Sequence, residues 1–337
     1  MIDDTSRQVA GWVRADFGLD LTTVDEVTHG ADQHARLWRA SCADGARYAV
    51  KLSGGGTPAG LVVAAHLAEQ GVPGIAAPLR TPDGGLRSHR SGRRLSVVPW
   101  VSDRRALGGP MTEAHWRAYG ELLAAVHAVP VTDELVRLLP RGGAAYRRIV
   151  AATRATAERL RDPDPADPAG PLVAEMAAVW SVAADQVSTL IREVERLAAD
   201  PAGAMVVCHG DPHLGNLLLG PDGQVWLIDW DDAVLAPIEC DLMFVTGGVL
   251  AFATITTEQR AAVLAGYGSA DVDPRRLAWF LAVRALDDLS DWTSQALDTG
   301  ASVADRARAA DVVRGLVSPI GLVVLADAAL LDLGQAG

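Results

Sequence analysis

A polar segment late in the chain constrains the fold most, because polar residues break its apolar runs at short intervals. The segment from Val206 to Phe244 reads VVCHGDPHLGNLLLGPDGQVWLIDWDDAVLAPIECDLMF. Its apolar runs predict three short strands, at residues 206–208, 217–219 and 225–228, and Pro221-Asp222-Gly223 predicts a turn between the last two. Polar side chains between such short strands are held rigidly, so we expect function in this segment.

The patterns outside this segment change from strand-like to helical along the chain. Residues 4–17 have helical spacing, and residues 20–101 predict an antiparallel sheet with one inserted helix at 58–70. Strands are expected between residues 23 and 52, at 75–79 and at 95–101. The remainder is mainly helical. The predicted fold class is therefore α+β, with a small sheet lobe of residues 1–101 and a large helical lobe of residues 102–337.

The charge of the chain is unevenly distributed. The net charge is −12, and residues after 102 carry −13 of charge whereas the first 102 residues carry +1. A strongly acidic part repels nucleic acid and anionic membranes and suits a cationic partner. The uncharged run at 242–257 is shorter than the roughly 18 apolar residues of a membrane span. We therefore expect no nucleic acid and no membrane among the partners.

The cysteines and the first residues indicate a cytoplasmic protein. Cys42, Cys208 and Cys240 are scattered, and an odd number without C-x-x-C spacing favours neither a disulfide framework nor a zinc ribbon. The opening residues, MIDDTSRQVAGW, are acidic and lack the apolar core of a signal peptide. We expect a monomer or a small homo-oligomer in a reducing compartment.

One lysine stands out against an arginine background. Lys51 is the only lysine of the chain, and every other basic residue except histidine is arginine. It follows the strand-like Tyr48-Ala49-Val50 and precedes a glycine-rich turn. Chance in an arginine-biased composition is one explanation. The other is that one site needs a compact ammonium, which a planar guanidinium cannot replace.

Three oxygen-bearing side chains of the polar segment are expected to converge. Asn216 follows Asp211 by five residues, and Asp229 ends the third predicted strand. Two carboxylates and an amide suit a hard cation such as Mg²⁺. Asp211 could instead stay off the metal and accept a proton from a hydroxyl. Phosphoryl transfer needs a metal, a base and a cation on the phosphates, and Lys51 would supply that cation.

A second interpretation of the same segment is a metal-dependent phosphatase. His209, Asp211 and His213 form an H-x-D-x-H pattern, which is compatible with metal ligands. Such enzymes need further clusters of His, Asp and Asn, and the remaining histidines form none. We therefore favour phosphoryl transfer.

These motifs resemble those of protein kinases. Asp211 and Asn216 have the D-x4-N spacing of the kinase catalytic loop, Ile228-Asp229-Trp230 sits where the D-F-G aspartate would, and Tyr48 to Lys51 looks like V-A-I-K. With H-G-D in place of H-R-D, the chain resembles the aminoglycoside phosphotransferase family, a protein-kinase-like group. The resemblance extends over nearly the whole chain and implies a bilobal kinase-like fold and an ATP- and Mg²⁺-dependent enzyme.

The resemblance implies a role for each matching residue. Asp211 would be the catalytic base, Asn216 and Asp229 would bind Mg²⁺, and Lys51 would contact the α- and β-phosphates of ATP. The remaining implied positions are a phosphate turn at Gly30, Ala31 and Asp32, backbone contacts to adenine at Val98, Pro99, Trp100 and Val101, and supports of the catalytic loop at His209 and Asp241. Residues 1–101 would then be the nucleotide-binding lobe.

The acceptor is expected to be a small cationic molecule. Asp287, Asp288 and Asp291 lie on a predicted helix at 275–297, and their carboxylates either form a solvated face or bind ammonium groups of the acceptor. We assign them, with Trp230 and Asp231, to the acceptor site, although the tryptophan could equally be core and Asp231 merely solvated. By resemblance, the acceptor is an aminoglycoside or aminocyclitol antibiotic such as spectinomycin.

Two departures from the family pattern leave alternatives open. The chain has no G-x-G-x-x-G, and the helix at 58–70 offers Lys51 no glutamate except Glu69 in its last turn. Either Glu69 reaches Lys51, or another carboxylate replaces it, or Lys51 is held differently. The alternatives are a metabolic kinase for an amino alcohol or a sugar, and a pseudokinase that binds nucleotide without transfer.

Overall fold

The structure, a computed structural model, describes residues 4–27, 35–54, 57–162, 169–198, 203–246, 255–269 and 271–335. The chain forms two compact units, each assembled from several segments. The first unit comprises Met1–Leu139, Leu214–Ala233 and Ala265–Gly268, and the second comprises Pro140–His213, Val234–Leu264 and Ser269–Gly337. The predicted division after Val101 into a nucleotide-binding and an acceptor-binding lobe concerns function, and it stays a prediction.

Helices and short strands alternate along the described part of the chain. The helices are α1 (Asp4–Phe17), α2 (Ala59–Glu69), α3 (Glu113–His127), α4 (Asp133–Leu138), α5 (Tyr146–Arg161), α6 (Gly170–Ser181), α7 (Ala184–Leu197), α8 (Glu239–Thr246), α9 (Thr257–Tyr267), α10 (Pro274–Ala296), α11 (Val303–Leu316) and α12 (Leu322–Gln335). The strands are β1 (Leu21–Val27), β2 (Ala35–Cys42), β3 (Arg47–Ser53), β4 (Ser88–Arg90), β5 (Arg93–Pro99), β6 (Val206–Cys208), β7 (Leu217–Leu219), β8 (Val225–Leu227) and β9 (Val234–Ala236).

The first unit contains a five-stranded antiparallel sheet. Its strand order is β1-β2-β3-β5-β4, so β3 lies between β2 and β5 and carries Lys51 opposite Ser96. Alternate residues of the strands point to one face, as period-two patterns require. There Trp38, Val50 and Val97 pack with residues of α1 in one apolar cluster. The cluster holds the strand that positions Lys51.

The predicted strand at residues 75–79 is wrong. Ile75 makes only an isolated parallel bridge to Leu227, and the next four residues form no regular element. Pro78 lacks the backbone N–H that a strand in the middle of a sheet would donate, so an extended segment here cannot complete a ladder. The strand predicted at 95–101 starts at Arg93 and ends at Pro99.

The β7–β8 hairpin belongs to the first unit and lies within the polar segment. Leu217 pairs with Leu227 and Leu219 pairs with Val225, and these four side chains are buried. Pro221-Asp222-Gly223 forms the turn, as predicted, with Asp222 and Gly223 at positive φ. The hairpin therefore has a closed end at this turn and an open end at Asn216 and Ile228.

The second unit is mainly helical and is organised around α10. This helix packs against α5, α7, α8, α11 and α12, and one apolar cluster includes its buried residues Leu281, Leu286 and Leu289. Asp273 caps its N-terminus by accepting from the backbone N–H groups of Arg275 and Arg276. Within the described ranges, no helix combines the length and the apolar character needed to cross a bilayer.

A two-stranded antiparallel ladder in the second unit holds the chain on either side of the polar segment. Val206 pairs with Ala236 and Cys208 pairs with Val234, so β6 and β9 lie side by side. The chain leaves β6 directly into His209-Gly210-Asp211, and it leaves β9 towards α8. The ladder thus fixes the start of the loop that carries Asp211.

Candidate active site

The loop that carries Asp211 is anchored through its backbone by a buried aspartate. Asp241, in the first turn of α8, is 0% exposed and accepts from the backbone N–H of His209 and of Gly210, both at 2.8 Å. Hydrogen bonds to a carboxylate are stronger than those to a neutral oxygen. Gly210 has φ +84°, which glycine adopts without steric cost. The fully buried His209 accepts at Nδ1 from the backbone N–H of Asp211, at 3.2 Å.

The Asp211 carboxylate lies between an arginine and a histidine. Its Oδ1 is 3.1 Å from Nη1 of Arg284, and its Oδ2 is 3.3 Å from Nε2 of His213. Burial raises the pKa of Asp211, but the hydrogen bond from His213 and the charge of Arg284 outweigh it, so that the pKa lies below its ordinary value. The carboxylate is therefore ionised at neutral pH and can accept a hydrogen bond from a hydroxyl.

The helix α10 carries the three aspartates predicted to bind the acceptor, and they differ in their surroundings. Asp288 is 2.8 Å from Nε of Arg284, and Asp291 is exposed and accepts from Gln295. Asp287 is partly buried and makes no hydrogen bond or ion pair with any residue that the structure describes. Burial raises the pKa of Asp287. Asp287 and Asp291 form no ion pair with those residues, and of the two Asp287 is the more buried, with the charges of Arg284 and Arg148 acting on it without direct contact.

Arg284 is the residue of this unit that sequence reasoning missed. It lies between Asp211 and Asp288 and contacts both carboxylates. The one local signal is its i,i+4 spacing to Asp288 on α10, which favours an ion pair on a helix surface. Nothing in that spacing indicates that the arginine reaches a loop 73 positions earlier in the chain.

Lys51 of the first unit is held by two carboxylates. Its Nζ is 3.1 Å from Oδ1 of Asp229 and 2.8 Å from Oδ2 of Asp231. Burial alone would lower the pKa of Lys51, but the charges of both aspartates outweigh it and raise the pKa above its ordinary value. The side chain therefore carries a positive charge at every pH at which the protein would work.

Asp229 stands at a strained position of the backbone. It has φ 65° and ψ 66°, in the left-handed region that few residues other than glycine occupy, and a short 3-10 turn over Trp230–Asp232 follows. Such conformations concentrate at functional sites, where the surrounding structure holds them. The indole N–H of Trp230 donates to the carbonyl of Leu227, and the side chain is buried. Packing therefore explains a tryptophan at position 230, and the assignment of Trp230 to the acceptor site stays a prediction.

The carboxylate that pairs with Lys51 does not come from α2. Glu69 instead lies 2.6 Å from Arg80. The first turn of α2 approaches the chain after β8 so closely that a Cβ at Gly60 would lie 2.5 Å from the carbonyl oxygen of Trp230. The helix thus packs backbone against backbone beside the Asp229–Asp231 turn, and that turn supplies both charges.

We expect Gly60→Ala to destabilise the protein by about 1–3 kcal/mol, because the added methyl group meets backbone atoms that cannot move aside like a flexible side chain. Gly11→Ala is the matched control, since Gly11 is also helical and its added Cβ would meet nothing within 4 Å. That control should be more stable than the wild type by about 0.5–1 kcal/mol. Thermal or urea unfolding measures both, and equal stability of the two variants would contradict the close approach.

The two predicted Mg²⁺ ligands flank the open end of the β7–β8 hairpin. Asn216 precedes β7, and its carbonyl accepts from the backbone N–H of Ile228, next to Asp229. Their side chains offer amide and carboxylate oxygens, the donor types that Mg²⁺ prefers, so the residues present fit this metal. Asp211 belongs to the second unit, and its convergence with Asn216 and Asp229 stays a prediction.

The predicted adenine-contacting stretch lies at the end of β5. Val98 pairs with Ala49 of β3, and Pro99 is the last residue of the strand. The backbone N–H of Trp100 donates to Arg47, and its indole N–H donates to Asp103 at 2.8 Å. Contacts of Val98, Pro99, Trp100 and Val101 with a nucleotide stay predictions. Gly30, Ala31 and Asp32 lie outside the described residues.

Comparison with known proteins identifies the family. The model of the phosphotransferase enzyme family matches residues 25–280, about three quarters of the chain. The chain belongs to the phosphotransferase enzyme family. The predicted resemblance and the prediction of a phosphotransferase are confirmed, and the roles of the individual site residues stay predictions.

Solved structures share the fold of this phosphotransferase. Spectinomycin phosphotransferase APH(9)-Ia, in complex with ADP and spectinomycin, has 23% identity and a TM-score of 0.85, and the match covers 96% of this chain and 98% of that one. Amicoumacin kinase hAmiN, in complex with AMP-PNP, Ca²⁺ and its ligand Ami, has 16% identity and a TM-score of 0.63, with 94% of each chain covered. An aminoglycoside phosphotransferase from Alicyclobacillus acidocaldarius has 17% identity and a TM-score of 0.56, with 100% and 96% covered. The predicted α+β, protein-kinase-like fold is therefore confirmed.

Proposed function

We propose that this phosphotransferase uses ATP and Mg²⁺ to phosphorylate a hydroxyl of a small cationic molecule. An aminoglycoside or aminocyclitol antibiotic such as spectinomycin is the first acceptor to test. The observation that carries the proposal is Asp211, an ionised carboxylate on a loop that Asp241 anchors through two backbone hydrogen bonds. A rigid, charged carboxylate is what the orientation and deprotonation of an acceptor hydroxyl require.

Each proposed step uses a residue of this chain. Asp211 accepts a hydrogen bond from the acceptor hydroxyl and takes its proton as the hydroxyl oxygen bonds to the γ-phosphorus of ATP, while the bond from that phosphorus to the bridging oxygen breaks and ADP leaves. Lys51 contacts the phosphates of ATP as a fixed positive charge, because both Asp229 and Asp231 hold its ammonium group. Asn216 and Asp229 would hold Mg²⁺, which neutralises charge on the phosphates when it is bound. Asp231 then has a role at Lys51 rather than at the acceptor.

A cationic acceptor is favoured by the charge of the second unit near Asp211. Arg284 already balances part of the charge of Asp211 and Asp288, whereas Asp287 forms no ion pair with the described residues and burial raises its pKa. A partly buried carboxylate gains most from an ammonium group that pairs with it. Two of the structural neighbours are described in complex with a small molecule besides the nucleotide, spectinomycin in one and Ami in the other. These likenesses support the choice of acceptors for a first test.

The alternatives differ in what they predict for turnover. A metabolic kinase for an amino alcohol or a sugar would use the same residues with another acceptor. A pseudokinase was suggested by the missing glutamate of α2, but Lys51 has two carboxylate partners, and this weighs against it. A phosphatase would need His209 as a metal ligand, whereas its Nδ1 accepts a backbone hydrogen bond within a fully buried side chain.

The test is Mg²⁺-dependent ATP consumption by the purified protein with a panel of acceptors. The panel contains spectinomycin, several aminoglycosides, choline, amino sugars and, as matched neutral compounds, the same sugars without amino groups. We expect acceptor-dependent turnover with a cationic compound and none with its neutral counterpart. Turnover with a neutral sugar alone would overturn the cationic acceptor. Bound ATP with no turnover on any compound would favour the pseudokinase.

A further inference from the structure

We propose that Arg284 is a positioning residue for Asp211, and that Asp288 holds Arg284 in the orientation required. The inference rests on the proposed function, in which Asp211 orients and deprotonates the acceptor hydroxyl. It adds a residue that none of the sequence motifs contains.

The contacts of Arg284 define its orientation on three sides. Nη1 is 3.1 Å from Oδ1 of Asp211, and Nε is 2.8 Å from Oδ1 of Asp288. The guanidinium carbon lies 5.4 Å from the ring centroid of Phe244, which is buried. A guanidinium is a rigid planar group, so two carboxylates on different nitrogens and a ring near its carbon leave it little rotational freedom.

Burial makes these contacts effective. The side chains of Arg284, Asp211 and Asp288 are 25%, 15% and 16% exposed, so each is largely shielded from solvent. Charged groups in such surroundings interact more strongly than at the surface, and each needs a partner. One arginine between two carboxylates forms an ion pair with each, and it couples the Asp211 loop to a helix whose other face is in the core.

The contact with Arg284 restricts the side-chain torsions of Asp211, which the hydrogen bonds of Asp241 to the loop backbone do not restrict. Asp241 holds the backbone at His209 and Gly210, but it does not restrict the two side-chain torsions of Asp211. Arg284 on Oδ1 and His213 on Oδ2 restrict those torsions from both sides of the carboxylate. A misplacement of about 1 Å at a reacting group can cost roughly 100-fold in rate. Arg284 is therefore expected to act on turnover rather than on binding.

The decisive variant removes one positive and one negative charge together. Arg284→Met with Asp288→Asn leaves no charged group at position 288 without its arginine, and Asp211 keeps its contact with His213, so the protein is expected to fold. With spectinomycin, or with whichever panel compound gave turnover, we expect kcat to fall by about 10- to 100-fold while the ATP Kd changes little. The acceptor KM should also change little, because in this proposal Asp288 acts on Arg284 and not on the acceptor. Arg284→Lys keeps the charge but loses the planar fork, and it should recover only part of kcat. Arg154→Met with Glu195→Gln, an exposed pair in the same unit, is the control and should keep wild-type kcat.

A crystal structure of the double variant provides a readout that needs no acceptor. We expect Asp211 to occupy more than one side-chain conformer there and a single one in the wild type. A folded double variant with wild-type kcat and a single Asp211 conformer would overturn the inference. Asp211→Asn separates this failure from that of the proposed function: if Asp211→Asn kept full turnover, the proposed base would be wrong, whatever Arg284 does.

Discussion

Asp211→Asn is expected to lower kcat by roughly 10²- to 10⁴-fold and to leave the affinity for Mg²⁺-ATP almost unchanged. Asparagine has the size of aspartate, and its amide oxygen can take the position of Oδ1, which lies 3.1 Å from Nη1 of Arg284. It cannot take a proton from the acceptor hydroxyl at neutral pH. The change therefore removes the chemical role of the side chain and keeps its packing.

Steady-state kinetics and calorimetric nucleotide titration of the same preparation check this prediction. Thermal unfolding is the control for folding, because the charge of Arg284 would then face one carboxylate instead of two. Loss of nucleotide binding together with turnover would show that Asp211 is a metal ligand, the alternative that its oxygen donors leave open. In that case the base would have to be sought elsewhere.

The fold was largely predictable because its elements follow simple periodicities. Val9, Val13 and Phe17 recur at helical spacing and are buried in α1. Short strand-like runs separated by turn residues predicted β2 and β3, whose apolar side chains pack in the same cluster. The strand β4 was not predicted. It lies in the arginine-rich stretch before β5, and a polar edge strand such as Ser88–Arg90 lacks the alternation of apolar and polar residues that indicates a strand. Its turn at Ser91 and Gly92, both with positive φ, is typical of a tight hairpin.

The candidate site was predictable only where residues close in sequence form a motif. His209-Gly210-Asp211 and Asn216 share one stretch, and the resemblance to the phosphotransferase family implied the roles predicted for them. The missing glutamate of α2 was visible in the sequence, but its replacement was not, because Asp231 lies 180 positions after Lys51. Arg284 is one of many arginines, and only the folded chain distinguishes it. Contacts over such separations depend on tertiary structure, which local patterns do not encode.

Asp229→Ala is expected to abolish Mg²⁺-dependent nucleotide binding and turnover, whereas Asp231→Ala should weaken nucleotide binding and preserve its dependence on Mg²⁺. The two aspartates form a matched pair: each pairs with Nζ of Lys51, and their side chains are 46% and 45% exposed. Only Asp229 lies beside Ile228, whose backbone N–H donates to Asn216, the other predicted ligand. Both variants therefore lose one contact with Lys51, and only Asp229→Ala is expected to lose the metal as well.

Nucleotide titrations at a series of Mg²⁺ concentrations separate the two effects. For Asp231→Ala we expect the binding curves to shift to weaker affinity at every Mg²⁺ concentration, because a less firmly held Lys51 contacts the phosphates less well. For Asp229→Ala we expect the affinity to stop responding to Mg²⁺, because a site with fewer oxygen ligands no longer holds the ion. Glu69→Gln is the control, since Glu69 pairs with Arg80 and should affect neither quantity. If both aspartate variants lost the Mg²⁺ response, the metal would be shared between them, and Lys51 would owe its position to the metal site as a whole rather than to Asp231.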